Sequence, residues 1–204
     1  PSGKILDVGA GCGVVGLLVA RDNKKVTLEA VEKQDVFVEY ASINARVNKI
    51  EYKIHKSDFL ELEEDLKYDY IISNPPFYHE GVTKSENEML FNARYNVNLP
   101  LSEFFKKVSK LLKPRSHFIF CYDASKFGLI CWELQKVKMR VVDVRFIHPK
   151  KDRVASLVMI HARNGSKSLM KVWAPFISFD GDEFSKEAQN IYKRARTQSI
   201  KCQI

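Results

Sequence analysis

Strand-like and helix-like patterns alternate from the first residues of this chain almost to its last, and that alternation restricts the folds open to it. "KILDVGA" reads as a short buried strand, and "VVGLLVARDN" as the helix after it. "KVTLEAVEK" is a second strand, after which Val36, Tyr40, Ile43 and Val47 recur at the spacing of an amphipathic helix. "EYKIHKSD" and "YDYIISN" supply a third and a fourth strand. After a polar insertion from Tyr78 to Asn98, Leu101, Phe104, Phe105, Val108, Leu111 and Leu112 outline a helix that ends before Pro114. "HFIFCYD" is a fifth strand, with a further helix from Ser125 to Lys138. "RVVDVRFIHP" and "VASLVMIHAR" then follow across a basic loop too short for a parallel crossover. The expected fold is α/β, a mostly parallel open sheet with a terminal antiparallel hairpin and helices on both faces. Residues 1–164 should form one domain, and 165–204 a C-terminal extension packed on it.

The first strand runs into "LDVGAGCGVVG", where Gly9, Gly11 and Gly13 allow a tight turn that a ligand can approach without Cβ interference. In an open α/β sheet this turn lies beside the usual ligand crevice. Two cofactor classes compete for it. Gly11, Gly13 and Gly16 satisfy the dinucleotide fingerprint G-x-G-x-x-G. The wider D-x-G-x-G-x-G, which includes Asp7, resembles the first motif of S-adenosylmethionine-dependent methyltransferases. A pyrophosphate wants amide donors and no nearby anion, whereas a cationic sulfonium cofactor tolerates a carboxylate, so Asp7 tilts the choice to S-adenosylmethionine. Glu32 closes the second strand, where an acid can accept from both ribose hydroxyls of either cofactor. Asp58 is placed to accept from the adenine amino group, and Phe59 to pack on the adenine ring.

The fourth strand ends in "IISNPPF", and it neighbours the first in such a sheet. Pro75 and Pro76 remove two backbone donors and fix two φ angles, which stops any ladder at this point. Chemistry gives the segment a second purpose. The amino group of adenine is a poor nucleophile because its lone pair is delocalised into the ring. The Asn74 carboxamide and the Pro75 carbonyl can each accept one of its N–H groups and free that lone pair. Phe77 offers a face on which the extruded base can stack. Transfer would be an in-line displacement governed by positioning.

At 204 residues and 45% hydrophobic, the chain can bury a sizeable core, and it has no apolar run long enough to cross a bilayer. It begins in a strand pattern rather than a signal peptide and without methionine, and it reads as a fragment. Cys12, Cys121, Cys131 and Cys202 form no CxxC pair, so no metal site is expected and a cytoplasmic setting is. A net charge of +8 favours a polyanionic partner.

D-x-G-x-G-x-G followed by NPPF resembles the amino-group methyltransferases, which act on adenine, guanine or cytosine amino groups or on a protein glutamine. "VEKQDVFVEYASINARVNKI", "LFNARYN", "FIHPKKDRVASLVMIHARNG" and "APFISFDGDEFSKEAQNIYKRA" together resemble the bacterial tRNA adenine-N6 methyltransferase family, which modifies the adenine beside the anticodon of a valine tRNA. The likeness runs over almost the whole chain. It implies a Rossmann-like class I fold, S-adenosylmethionine as cofactor and tRNA as substrate; a monomer is expected. At matching positions it implies catalytic Asn74, Pro75, Pro76 and Phe77, and cofactor contacts at Asp7, Gly9, Gly11, Gly13, Glu32, Asp58, Phe59 and Asn74. Arg94 matches an arginine of the family's target-side insertion. The chain departs from the pattern after Arg94 and ahead of the first strand, where the family has a segment that closes over cofactor and base. Lys150, Lys151 and Arg153 would reach the rim that holds NPPF if the sixth strand is parallel to the others, with Lys193, Arg194 and Arg196 extending the RNA surface. Protein-glutamine methylation, and a non-catalytic RNA-binding module that keeps the fold, are the competing readings.

Overall fold

The computed structural model describes residues 2–75 and 100–197. β1 (Gly3–Val8), α1 (Val14–Asp22), β2 (Val26–Glu32), α2 (Asp35–Val47), β3 (Tyr52–Lys56) and β4 (Tyr68–Ser73) come before the gap. α3 (Leu101–Leu111), β5 (Leu112–Asp123), α4 (Phe127–Lys136), β6 (Met139–His148) and β7 (Leu157–Asn164) come after it. The main sheet runs β3-β2-β1-β4-β5-β7-β6. β1 to β5 are parallel, and β7 is antiparallel to both β5 and β6, which makes β6 parallel to the first five. The hairpin is therefore inserted in reverse order, with β7 and not β6 beside β5. β5 connects through α4 to a strand one place further out, and β7 turns back into the space between them.

Side chains of β1 alternate between two cores. Ile5 joins Leu17, Ala20, Leu28, Ala45 and Ile72 under α1 and α2. Leu6 and Val8 join Phe104, Phe105, Val108, Leu111, Phe118, Ile130 and Leu134 under α3 and α4. α3 follows Pro100, carries Glu103 in its first turn and Lys110 in its last, and puts its apolar residues on one stripe. Phe104 is fully buried and meets Phe59, Phe105 and Phe118 with centroids 5.3 to 5.8 Å apart. Each such side chain contributes about 1.5–3 kcal/mol through burial.

Two elements differ from their sequence pattern. α2 is present, but Val36 and Val47 are exposed and its core face is Ala41 and Ala45. Small residues are needed there because α2 comes close to the glycine turn: a Cβ on Gly13 would lie 3.3 Å from that of Ala41. β5 starts at Leu112 and so contains Pro114. It accommodates the proline through an irregularity, since Leu112 pairs with Tyr68 and His117 with Tyr70, with Arg115 at φ 63° between them.

Beyond β7, β8 (Lys171–Val172) and β9 (Phe176–Ile177) pair with β6, and β10 (Phe179–Asp180) turns at Gly181 into β11 (Glu183–Phe184). Ser185 caps α5 (Lys186–Ala195) by accepting from the Ala188 amide. Arg145 of β6 holds Glu187 with both terminal nitrogens at 2.8 Å, and Arg21 of α1 donates to the Ala195 carbonyl.

Candidate active site

The parallel register sets the centre of the site. Val8 pairs with Ser73, and the Ser73 hydroxyl donates to the Val8 carbonyl at 2.8 Å. Gly9 and Asn74 are the next residues on these adjacent strands, so they leave the sheet side by side at its carboxyl edge. Asn74 is exposed and Pro75 is buried. Pro76, Phe77 and Arg94 lie outside the described residues, as does the 78–98 insertion.

Gly9, Gly11 and Gly13 all have positive φ, at 65°, 55° and 79°. Only two of them border open space. A Cβ at Gly9 or Gly11 would meet nothing within 4 Å, whereas one at Gly13 would strike the Tyr52 ring at 2.9 Å. Gly16, inside α1, is required for a different reason: its Cβ would fall 2.7 Å from the Asp7 carboxylate. Gly16→Ala should therefore destabilise the fold by about 1–3 kcal/mol despite alanine's better helix propensity. Urea denaturation would read the loss, and an unchanged midpoint would show that Asp7 can move aside.

Asp7 is 3% exposed and accepts from the Gly16 amide at 2.9 Å and the Tyr52 hydroxyl at 3.3 Å. Burial pushes its carboxyl up to about 6, against the pull of those two donors. The structure thus gives Asp7 a part beneath the turn, fixing α1 to it, rather than an open face toward a ligand. Glu32 lies at the crevice and is largely engaged. Its Oε1 accepts from the Lys33 and Gln34 amides, and its Oε2 from the Gly11 amide at 2.9 Å. Oε2 keeps lone-pair capacity for a hydroxyl, so one ribose contact fits more readily than two.

Asp58 caps the short helical turn at Phe59–Glu61 by accepting from the Leu60 amide, and its other oxygen takes Lys33 at 3.0 Å. Burial disfavours its carboxylate, but the Leu60 amide and the Lys33 ammonium outweigh burial and hold its carboxyl below the ordinary value. Phe59 is 6% exposed and packs edge-on against Phe104, so its ring belongs to the core behind the crevice.

Sequence reasoning overlooked Asn44. From α2 its amide nitrogen donates to the Cys12 carbonyl at 2.9 Å, in the middle of the glycine turn. The only sequence cue is a polar residue beside the buried Ala41 and Ala45 stripe.

β6 being parallel to β1–β5, its carboxyl end delivers Lys150, Lys151 and Arg153 to the same edge as Asn74, three strand spacings or roughly 14 Å away. Lys150 pairs with Asp182 of the C-terminal turn at 3.2 Å. Lys193, Arg194 and Arg196 are elsewhere. Arg194 lies 3.6 Å from Asp22, at the end of α1 that returns to the amino edge of the sheet, where Gly3 bonds Lys25. The helix crosses the sheet toward α1 instead of following the rim, so these residues do not extend the rim surface. Among the described residues no group of three or more His, Cys, Asp or Glu is arranged to hold a metal, and no helix is long and apolar enough to cross a membrane.

The glycine turn with open space at Gly9 and Gly11, and an acid closing β2, fit an adenosyl cofactor that approaches the backbone closely. Comparison with known proteins agrees with this geometry. Residues 1–98 match the family described as the methyltransferase small domain. That match takes in 98 of the 204 residues. The overall fold of the chain is shared with a solved predicted O-methyltransferase from Agrobacterium tumefaciens, which superposes with TM-score 0.73 over 94% of this chain and 89% of that one, at 15% identity. The tRNA1(Val) (adenine(37)-N6)-methyltransferase of Aliivibrio fischeri is 31% identical over 57% of this chain and 51% of its own length. The release factor glutamine methyltransferase of Fusobacterium nucleatum is 32% identical over 52% of this chain and 32% of its own. The chain spans about half the length of the tRNA-modifying relatives first matched. The residues matched to that family include the glycine turn, Glu32, Asp58 and Asn74.

Proposed function

We propose that this protein transfers a methyl group from S-adenosylmethionine to the N6 amino group of adenine in tRNA. One observation carries the reading: Asn74 and Pro75 leave β4 directly beside Gly9, at the open part of the glycine turn. Bound there, S-adenosylmethionine supplies an electrophilic methyl carbon on a sulfonium. The turn, Glu32 and Asp58 hold the adenosyl part. The Asn74 side-chain oxygen and the Pro75 carbonyl accept the two N–H groups of the target, which frees the nitrogen lone pair as nucleophile. Proline's fixed φ keeps its carbonyl in place, so little reorganisation is left for the reaction itself. Phe77, two residues on, is the ring proposed for stacking the base.

The rim cations favour RNA over protein. Lys150, Lys151 and Arg153 stand where they can neutralise phosphates flanking an extruded base. Replacing all three by alanine should weaken tRNA binding and flatten its log–log salt dependence by about 2 to 3 units, with cofactor affinity unchanged. An unaltered slope would remove these residues from the interface. The proposal as a whole is tested by offering methyl-labelled S-adenosylmethionine with undermethylated tRNA and unmodified release factor together. Label in tRNA is expected; label in the protein alone would replace the reading by glutamine methylation.

A further inference from the structure

The glycine turn holds three left-handed residues and would be costly to order by backbone alone. Side chains pin it at three points. Glu32 accepts from Gly11 N–H, Asp7 accepts from Gly16 N–H, and Asn44 donates to the Cys12 carbonyl. The two acids have further partners, Lys33 and Gln34 amides for Glu32 and Tyr52 for Asp7. The Asn44 amide nitrogen has the turn alone.

What that one bond determines follows from the peptide planes. The Ala10–Gly11 unit is held at both ends, its N–H by Glu32 and its carbonyl by Gly13 N–H at 2.9 Å. The Cys12–Gly13 unit is also held at both ends, its N–H by Ala10 and its carbonyl by Asn44. The unit between them is fixed only through these neighbours, and among the described residues no hydrogen bond uses its Cys12 N–H. A backbone donor next to the open space at Gly11 is thereby left for a ligand.

We infer that Asn44 is a positioning residue for the cofactor: by holding the Cys12 carbonyl it sets the planes of the glycine turn and presents the Cys12 N–H to the crevice. Without the clamp the Cys12–Gly13 plane can rotate, and the donor turns with it. The inference rests on the S-adenosylmethionine reading above, and it concerns a helix residue outside the glycine motif.

Asn44→Asp is the sharpest test, because it keeps the shape of the side chain and sets an oxygen against the Cys12 carbonyl where a donor had been. Titration with S-adenosylhomocysteine should show affinity about tenfold weaker, the scale of one lost hydrogen bond with an unsatisfied partner. The KM for S-adenosylmethionine should rise by a similar factor with kcat little changed, and the Gly11 and Gly13 amide resonances should shift. A role confined to stability would lower the melting temperature and leave KM alone. Asn44→Ala provides the same readings should the aspartate variant fail to fold. Wild-type binding with equal affinity in a folded variant would overturn the inference and leave the proposed function standing; absence of S-adenosylhomocysteine binding by the wild type would overturn both.

Discussion

Replacing Asn74 by alanine should lower the rate of methyl transfer by roughly a hundred- to a thousandfold, the scale seen when one preorganised hydrogen-bonding group is removed from a reacting centre. Affinity for S-adenosylhomocysteine should stay within about threefold of wild type, because the glycine turn, Glu32 and Asp58 are untouched and a single peripheral contact contributes little. The split has a physical origin. Asn74 is exposed at the strand end, Pro75 behind it is buried, and no described core contact depends on the carboxamide. Its oxygen matters only when an amino group is present to donate to it. Asn74→Asp, which retains an acceptor, should lose less. Single-turnover rates together with calorimetry separate the two effects, and unchanged turnover in the alanine variant would show that the chemistry lies elsewhere.

The second large effect concerns stability. Glu29 of β2 is 5% exposed and forms a buried polar hub, accepting from Tyr68 at 2.8 Å and meeting His55 and Lys4 at 2.9 Å each. Burial opposes its charge, but Lys4, His55 and Tyr68 together outweigh burial and bring the carboxyl down to about 2. Glu29→Ala leaves the fully buried Tyr68 hydroxyl and a nearby ammonium without their acceptor, and should cost about 3–5 kcal/mol. For a domain of this size that is a large part of the total. The sign with pH follows from the lowered value. The stabilisation by Glu29 is complete above its ordinary value of 4.5 and is lost as pH falls toward 2. Urea titrations should therefore show a wide gap between wild type and variant at pH 7 that narrows by pH 3. A gap below about 1 kcal/mol at pH 7 would mean that the hub is no stronger than a surface ion pair.

Glu29 and Glu32 illustrate what the sequence could and could not tell. They lie three residues apart on one strand, so they face opposite sides of the sheet and differ also in distance from its carboxyl end. Its position closing the strand was enough to bring Glu32 to the glycine turn. Position in the strand could not show that Glu29 gathers residues from β1, β3 and β4, because that depends on the order of strands across the sheet. The parallel sheet itself was legible because βα units leave a strong periodic pattern, and the short basic loop after β6 already indicated an antiparallel return. Where β7 would insert was not legible, since a hairpin can close at an edge or fill a space with the same local residues.

The site shows the same division. Glycine and proline act through their own backbones, so the tight turn at Gly9 and Gly11 and the strand end before Pro75 could be read directly. Asp7, Phe59 and Asn44 act through packing. Asp7 meets Tyr52 from another strand, Phe59 meets Phe104 from α3, and Asn44 reaches across from α2. Their positions in the chain imply ligand contact for the first two and nothing for the third, whereas the fold puts all three behind the turn. The face of α2 was misjudged for a related reason: hydrophobic spacing selects large residues, while close approach to the glycine turn selects Ala41 and Ala45.

The central claim is that the Asn74–Pro75 acceptor pair, set beside the glycine turn, directs a methyl group onto a flat amino nitrogen of RNA. Nucleoside mass spectrometry tests it most directly, using unmodified tRNA treated with the wild-type chain and methyl-deuterated S-adenosylmethionine. A single new peak at the mass of deuterated N6-methyladenosine is the expected result, absent when Asn74→Ala replaces the wild type. Deuterium on a ring nitrogen, on a ribose oxygen or only on protein would contradict the account.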